Sequence, residues 1–215
     1  MQNCPLCNSQ STLFHQGANR IYRQCGTCSL VFVLKKYHLA ADEEKRRYDN
    51  HENNPNDPRY RKFLSRLSDP LIPLLPQGAT GLDFGCGPGP ALAAMLEEAG
   101  FSVKLFDLYY ANNPTVLLEA YDFVTCTETA EHFRKPREEW DLLAGLIKPG
   151  GILGIMTQQM TEPERFPKWH YIRDETHLCF YTPKTFKWIA KNYQLEILDR
   201  TKTTVIFRKA GESTQ

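Results

Sequence analysis

The sequence predicts an α/β fold: a doubly wound, mostly parallel sheet with an antiparallel last strand, carrying a small cysteine-rich head at its N-terminus. Three observations predict it. A buried-strand pattern runs into a glycine-rich turn and a helix over residues 81–90; strand and helix patterns alternate from there to the C-terminal region; and two Cys-x2-Cys pairs stand within the first 28 residues. Such alternation is the mark of parallel strands joined by crossover helices.

The chain has 215 residues, 41% of them apolar and 24% charged, which fits a globular domain of ordinary size plus an appendage. No apolar run approaches the roughly 18–20 residues of a membrane span, and the N-terminus lacks an apolar leader, so the expectation is a cytoplasmic protein without membrane contact. The net charge of +1 excludes a strongly basic polyanion binder. Its distribution is uneven: residues 1–80 carry 11 Lys/Arg and 7 Asp/Glu (+4), residues 81–131 carry 1 and 8 (−7), and residues 132–215 carry 14 and 10 (+4). The acidic segment is the one that holds the glycine turn.

Cys4 and Cys7 are followed, after 17 residues, by Cys25 and Cys28. This spacing fits a tetrahedral four-thiolate zinc site with one knuckle per pair. Short strand patterns at 11–14 and 30–33, with a turn at 17–19, make residues 1–40 a zinc ribbon. A unit of this size cannot be held by its core alone, so the metal is expected to be structural. The ribbon carries Arg20, Arg23, Lys35 and Lys36 and no carboxylate, which leaves open a docking surface for RNA or a purely structural lid.

Residues 41–58 are polar and rich in Asn and Pro, and read as a linker or as a loop that covers a ligand. The main domain is expected over 59–210, with a tail at 211–215. Tyr60, Phe63, Leu64, Leu67, Leu71 and Leu74 recur at helical spacing ahead of the first strand.

The turn reads Gly81-Leu82-Asp83-Phe84-Gly85-Cys86-Gly87-Pro88-Gly89-Pro90. Alternating glycines let backbone pass close beneath a ligand, and the helix that follows offers unpaired N–H groups. The spacing Gly85-x-Gly87-x-Gly89 is not the dinucleotide fingerprint, whose third glycine position holds Pro90, and no Gly-Lys-Ser/Thr ending marks a phosphate loop. It resembles motif I of the class I S-adenosylmethionine-dependent methyltransferases. A helix over 91–99, a second strand ending in Asp107, a strand at 121–126 and a fifth strand at 152–157 after Lys148-Pro149-Gly150-Gly151 continue the likeness, and strands at 195–199 and 203–208 close the sheet. One departure stands out. Only 14 residues separate Asp107 from Asp122, too few for the usual helix, third strand and helix, so at most a short strand at 115–118 fits and the family's acidic contact to adenine has no counterpart.

The resemblance implies a Rossmann-like class I methyltransferase sheet with a shortened connection between its second and fourth strands. It implies S-adenosylmethionine as cofactor, held by Asp83, Gly85, Cys86, Gly87 and Gly89 at the methionine and ribose portion, by Asp107 and Leu108 at the ribose, and by Thr125, Thr127 and Glu128 beside the sulfonium. Residues 158–181 form a long insertion crowded with aromatic and titratable groups, in which Trp169, His170 and Tyr171 are expected to line the acceptor pocket. His177 on that loop is the candidate general base, and His132, after Glu131, the second catalytic candidate. Three functions compete: methylation of a small molecule, favoured by the near-neutral charge; methylation of RNA docked by the ribbon; and a non-catalytic module with a vestigial pocket.

Overall fold

The computed structural model describes residues 2–50 and 54–211. Residues 51–53, inside the expected linker, and nearly all of the expected tail lie outside the described residues.

The head contains three antiparallel strands, β1 (Ser11–Gln16), β2 (Ile21–Cys25) and β3 (Val31–Val33). The segment expected as linker or covering loop opens instead with a helix, α1 (Ala41–Tyr48). Asp42, Glu43 and Glu44 in its first turn and Lys45, Arg46 and Arg47 in its last complement the helix dipole. Helix α2 (Pro58–Leu71) follows, started by Asp57, whose side chain accepts the Arg59 N–H, and by Pro58 at the first position.

The main sheet has six strands: β4 (Thr80–Phe84), β5 (Ser102–Phe106), β6 (Tyr121–Thr127), β7 (Ile147–Met156), and, at the C-terminal end, β9 (Leu195–Arg200) and β10 (Thr204–Lys209). Their order is β5-β4-β6-β7-β10-β9, parallel from β5 to β7 and antiparallel thereafter, which is the expected fold class. Helix α3 (Ala91–Glu98) joins β4 to β5, α4 (Pro136–Gly145) joins β6 to β7, and α5 (Pro183–Asn192) precedes β9. Leu64, Leu67, Leu92 and Leu96 of α2 and α3 bury one face of the sheet with Phe123, Ile152 and Ile206. Trp140, Leu143, Phe186 and Ile189 of α4 and α5 bury the other with Val124, Leu153, Val205 and Phe207. The alternation of Val205, Ile206 and Phe207 between the two cores is the period of a strand covered on both sides.

The connection after β5 is short, as the spacing requires. Residues 114–118 form a 3-10 helix rather than the expected strand, because Pro114 occupies its first position and the Asn113 side chain caps the Thr115 N–H at 3.2 Å. β5 is therefore the edge of the sheet.

The ribbon is not a free appendage. Its sheet takes a fourth strand, β8 (Cys179–Phe180), from the 158–181 insertion, paired with β3. Leu6, Leu30 and Phe32 share one core with Phe133, Trp140 and Tyr181 of the main domain. Among the described residues no helix is long and apolar enough to cross a membrane.

Candidate active site

A cavity of about 580 Å³ opens at the C-terminal ends of the parallel strands, between the turns that follow β4, β5 and β6. Ligands of open α/β sheets bind at such a crevice. Gly85 has φ +75° and a Cβ there would lie 2.3 Å from the Thr129 side chain; Gly87 has φ +64°. Only glycine supplies that backbone without strain. The Gly85 and Cys86 N–H groups donate to the Phe106 carbonyl at 2.7 and 3.2 Å, tying the turn to the end of β5.

Asp107 is fixed from three sides. Its Oδ1 accepts the N–H groups of Tyr109 (2.8 Å) and Tyr110 (3.1 Å), and its Oδ2 accepts the Gly87 N–H (3.0 Å). Oδ2 keeps one lone pair, and the carboxylate lines the cavity. Of the other residues expected at the cofactor, Gly85, Cys86, Gly87, Leu108, Thr127 and Glu128 also line it. Asp83, Thr125 and Gly89 do not. Asp83 is 2% exposed and accepts the Thr125 hydroxyl at 2.8 Å, so the two form a buried polar tie beneath the turn, and burial pushes the Asp83 carboxyl up to about 6. Gly89 lies beyond the cavity wall, which ends at Pro88, and its backbone is not left-handed.

Helix α1 roofs the cavity: residues 41–48 cover it, as one of the two readings of this segment expects, but as a helix rather than a loop. Glu44, buried at 5% exposure, accepts the hydroxyls of Tyr48 and Tyr109 (both 3.0 Å) and the Arg134 guanidinium (2.7 Å). The Tyr110 hydroxyl donates to Asp49 at 2.7 Å. Tyr109 and Tyr110 follow the edge strand directly, so the two tyrosines bridge from the shortened connection to the roof.

At the far end stand Glu131, His132 and His177, all lining the cavity. The two imidazoles lie 4.9 Å apart by ring centroid. His177 Nδ1 is 2.7 Å from the Tyr171 carbonyl and His132 Nδ1 is 3.1 Å from the Thr176 carbonyl. A carbonyl only accepts, so each Nδ1 carries the proton and each Nε2 is left a lone pair. Burial holds His177 below the usual imidazole range.

The expected acceptor pocket of Trp169, His170 and Tyr171 is not formed: none of the three lines the cavity. Their rings are consumed by packing on the ribbon, where Trp169 and Tyr171 join Tyr22, Phe166 and Phe180 in one cluster, while His170 is exposed and bonds to Gln158. Tyr171 acts behind the wall instead, donating its hydroxyl to Glu131 and lying under the His177 ring at 4.1 Å between centroids.

The ribbon meets this loop through Arg20. Its guanidinium donates to the carbonyls of Ile172 (2.6 Å), Asp174 (2.9 Å), Glu175 (3.0 Å) and His177 (3.2 Å), and the residue is 7% exposed. Arg23 is turned onto Ser11. Arg20 is therefore not available as a docking cation.

The sulfurs of Cys4, Cys7, Cys25 and Cys28 lie within 4.8 Å of one another, with Cys4–Cys28 at 3.6 Å and Cys7–Cys25 at 3.3 Å. Tetrahedral Zn–S bonds of about 2.3 Å place sulfurs roughly 3.8 Å apart. The Thr27 and Cys28 N–H groups point at Cys25 Sγ at 3.4 Å, as they would at a thiolate. The residues present fit a zinc ion.

A parallel sheet with this strand order, a glycine turn after β4 and an acidic residue at the end of β5 define a Rossmann-like class I methyltransferase architecture. The comparisons agree. The methyltransferase domain model matches residues 51–200, and the chain belongs to that family. The ubiquinone biosynthesis O-methyltransferase of Cronobacter sakazakii is 33% identical over 78 residues, 36% of this chain and 32% of that protein. Aligned segments thus span about a third of the length of the curated relatives. Among solved structures, the Burkholderia thailandensis 1,6-didemethyltoxoflavin-N1-methyltransferase, with 1,6-didemethyltoxoflavin and S-adenosylhomocysteine bound, superposes with a TM-score of 0.53 at 16% identity, over 94% of this chain and 100% of that one. An S-adenosylmethionine-dependent methyltransferase from Archaeoglobus fulgidus gives 0.53 at 17% identity, over 69% of this chain and 94% of that one.

Proposed function

We propose that the protein transfers a methyl group from S-adenosylmethionine to an oxygen of a small molecule. The observation that carries this reading is the cavity that joins the glycine turn and Asp107 to the Glu131, His132 and His177 cluster. Its volume lies within the roughly 300–1,000 Å³ of small-molecule sites, and α1 roofs it against a polymer.

The left-handed backbone of Gly85 and Gly87, with Thr129 leaving no room for a Cβ on Gly85, fits a cofactor lying against the turn. In this reading Gly85, Cys86 and Gly87 take the methionine portion, the free lone pair of Asp107 takes a ribose hydroxyl, and Leu108, Tyr109 and Phe106 supply an apolar seat for adenine in place of an acidic contact. Thr127 and Glu128 flank the sulfonium. When bound, the cofactor supplies an electrophilic methyl group on a positively charged sulfur, and the carboxylates of Asp107 and Asp174 in the lining favour that charge. The Nε2 lone pair of His177 takes the proton of the acceptor's hydroxyl as its oxygen attacks the methyl carbon and the carbon–sulfur bond breaks onto sulfur; the base is needed because a neutral hydroxyl is a weak nucleophile. Alignment of the two reactants supplies much of the remaining acceleration.

The four cysteines hold a structural zinc ion, and the ribbon's task is to fix the loop that carries His177. Burial of Arg20 inside the protein removes one of the four ribbon cations on which the RNA-docking alternative relies. The O-methyltransferase name of the curated relative supports oxygen as the acceptor atom. The test is calorimetry with S-adenosylhomocysteine, followed by transfer of labelled methyl to phenolic and enolic small molecules and, in parallel, to total RNA. Cofactor binding with label in the small-molecule fraction is expected. Label only in RNA would overturn the acceptor class, and no binding of S-adenosylhomocysteine would overturn the function.

A further inference from the structure

The cluster at the acceptor end has a feature that a proton acceptor alone does not require. Glu131, His132 and His177 each bring one ligand atom within 4.8 Å of the others. Both histidines direct Nδ1–H at a backbone carbonyl, which fixes ring orientation and tautomer, as it does for most metal-binding histidines. Glu131 is fully buried; its Oε1 takes the Tyr171 hydroxyl, and its Oε2 has no hydrogen-bonding partner. Glu128, at the same strand end, is half-buried with a shielded, unpartnered Oε1 and sits at φ +47°, a backbone region that residues other than glycine rarely occupy. Asp174 does not resolve this: its Oδ2 lies 3.7 Å from His177 Nε2, beyond hydrogen-bonding distance, and its Oδ1 is taken by Thr176.

We propose that Glu131, His132 and His177 bind a divalent transition metal, distinct from the four-cysteine site, with its open positions facing the cavity. Two imidazoles and one carboxylate without a thiolate suit zinc, manganese or iron, whereas magnesium and calcium take mainly oxygen ligands. Glu128 stands beside the site as a fourth carboxyl. The ion's task rests on the methyl-transfer reading: it takes the acceptor's oxygen at an open position and lowers the pKa of its proton. With Nε2 of both histidines on the ion, the O–H bond breaks with its electron pair left on oxygen, and the proton passes to water rather than to His177. The acceptor class follows from this: a small molecule with a phenolic or enolic hydroxyl able to bind a metal. Metal binding itself does not depend on that task.

The test uses the full chain with its cysteine site already loaded with zinc. Mn²⁺, which avoids thiolates, is titrated in and the free ion followed by electron paramagnetic resonance, with S-adenosylhomocysteine binding measured on the same samples. One Mn²⁺ per chain is expected, with affinity lowered more than about 10-fold in Glu131→Gln and in His177→Asn, the loss seen even for partners behind the ligands. No Mn²⁺ bound by the wild type, or unchanged affinity in both variants, overturns the proposal. Should a variant also lose S-adenosylhomocysteine binding through misfolding, the wild-type count decides. Failure of the wild type to bind S-adenosylhomocysteine while it binds Mn²⁺ would instead refute the methyl-transfer reading and leave the metal site standing.

Discussion

Replacing Arg20 by alanine tests whether the ribbon sets the geometry of the site. The guanidinium makes four hydrogen bonds to carbonyls of residues 172–177, the segment that delivers His177 to the cavity. Hydrogen bonds to a charged group contribute about 1.5–3 kcal/mol each, but the four share one side chain and water reaches part of the gap after its removal. A loss of about 3–5 kcal/mol follows, comparable with breaking a buried ion pair. At about 1.4 kcal/mol per decade, the opening equilibrium of the segment rises on the order of 10²- to 10³-fold. Hydrogen exchange reads this directly at the amides of Thr176, His177 and Leu178, which are bonded to Asp174 Oδ1, the Asp174 carbonyl and the Glu131 carbonyl. Exchange in β4 and β6 stays slow, and S-adenosylhomocysteine affinity changes little because the glycine turn is remote from Arg20. Unchanged protection at these three amides would refute the reasoning and return the ribbon to an independent appendage.

Gly85→Ala forces a Cβ to 2.3 Å from Thr129 at a φ of +75°; a stability loss of about 1–3 kcal/mol in urea melts and a marked loss of S-adenosylhomocysteine affinity are expected. Stripping zinc with a chelator, or Cys28→Ser, removes a structural term on the order of 10 kcal/mol, so the head unfolds and β8 loses its protection in hydrogen exchange while β4 to β7 persist. Asp83 carries a pH signature. Burial raises its folded pKa to about 6 against an ordinary 3.8, so its contribution to stability is complete below about pH 4 and is lost as pH rises through 6. The gap is worth roughly 3 kcal/mol. Unfolding of wild type and Asp83→Asn, compared between pH 4 and 7, is expected to diverge by about that amount; parallel pH curves would show that Asp83 ionises freely.

The central features of the fold were legible because they rest on short-range pattern. Gly85 and Gly87 occupy left-handed backbone that favours their residue type, and the spacing of Cys4, Cys7, Cys25 and Cys28 is set by knuckle geometry. The short interval between Asp107 and Asp122 predicts a shortened connection by simple chain length, though not that residues 114–118 form a 3-10 helix and leave β5 at the edge. What escaped depends on contacts distant in sequence. Trp169 and Tyr171 look like pocket residues in an isolated loop, but the ribbon, about 150 residues earlier in the chain, presents Tyr22 and Arg20 to that loop and consumes its aromatic face. Arg20 carried no signal distinguishing it from Arg23. Asp83 was misplaced for a subtler reason: strand alternation puts Phe84 and the turn at the cavity and leaves the preceding acid buried against Thr125. The roof by α1 had one available signal, the grouping of acids before bases over residues 42–47, which marks a helix rather than a linker.

The shortened connection and the roof belong to one arrangement. A longer connection after β5 would bring a further strand and helices to this edge, and with them a wall for the adenine end of the cavity. Here the chain turns back at residues 107–111, where Asp107 and Ala111 exchange backbone hydrogen bonds at 3.2 Å, so Tyr109 and Tyr110 project from a tight loop at an unprotected edge. Alone they would be mobile. Helix α1 removes that freedom, because Glu44 and Asp49 accept both hydroxyls while Arg134, from the turn after β6, holds Glu44 from the opposite side of the cavity. The side that lacks a strand is therefore closed by a helix from before the sheet in sequence, hinged on one buried carboxylate.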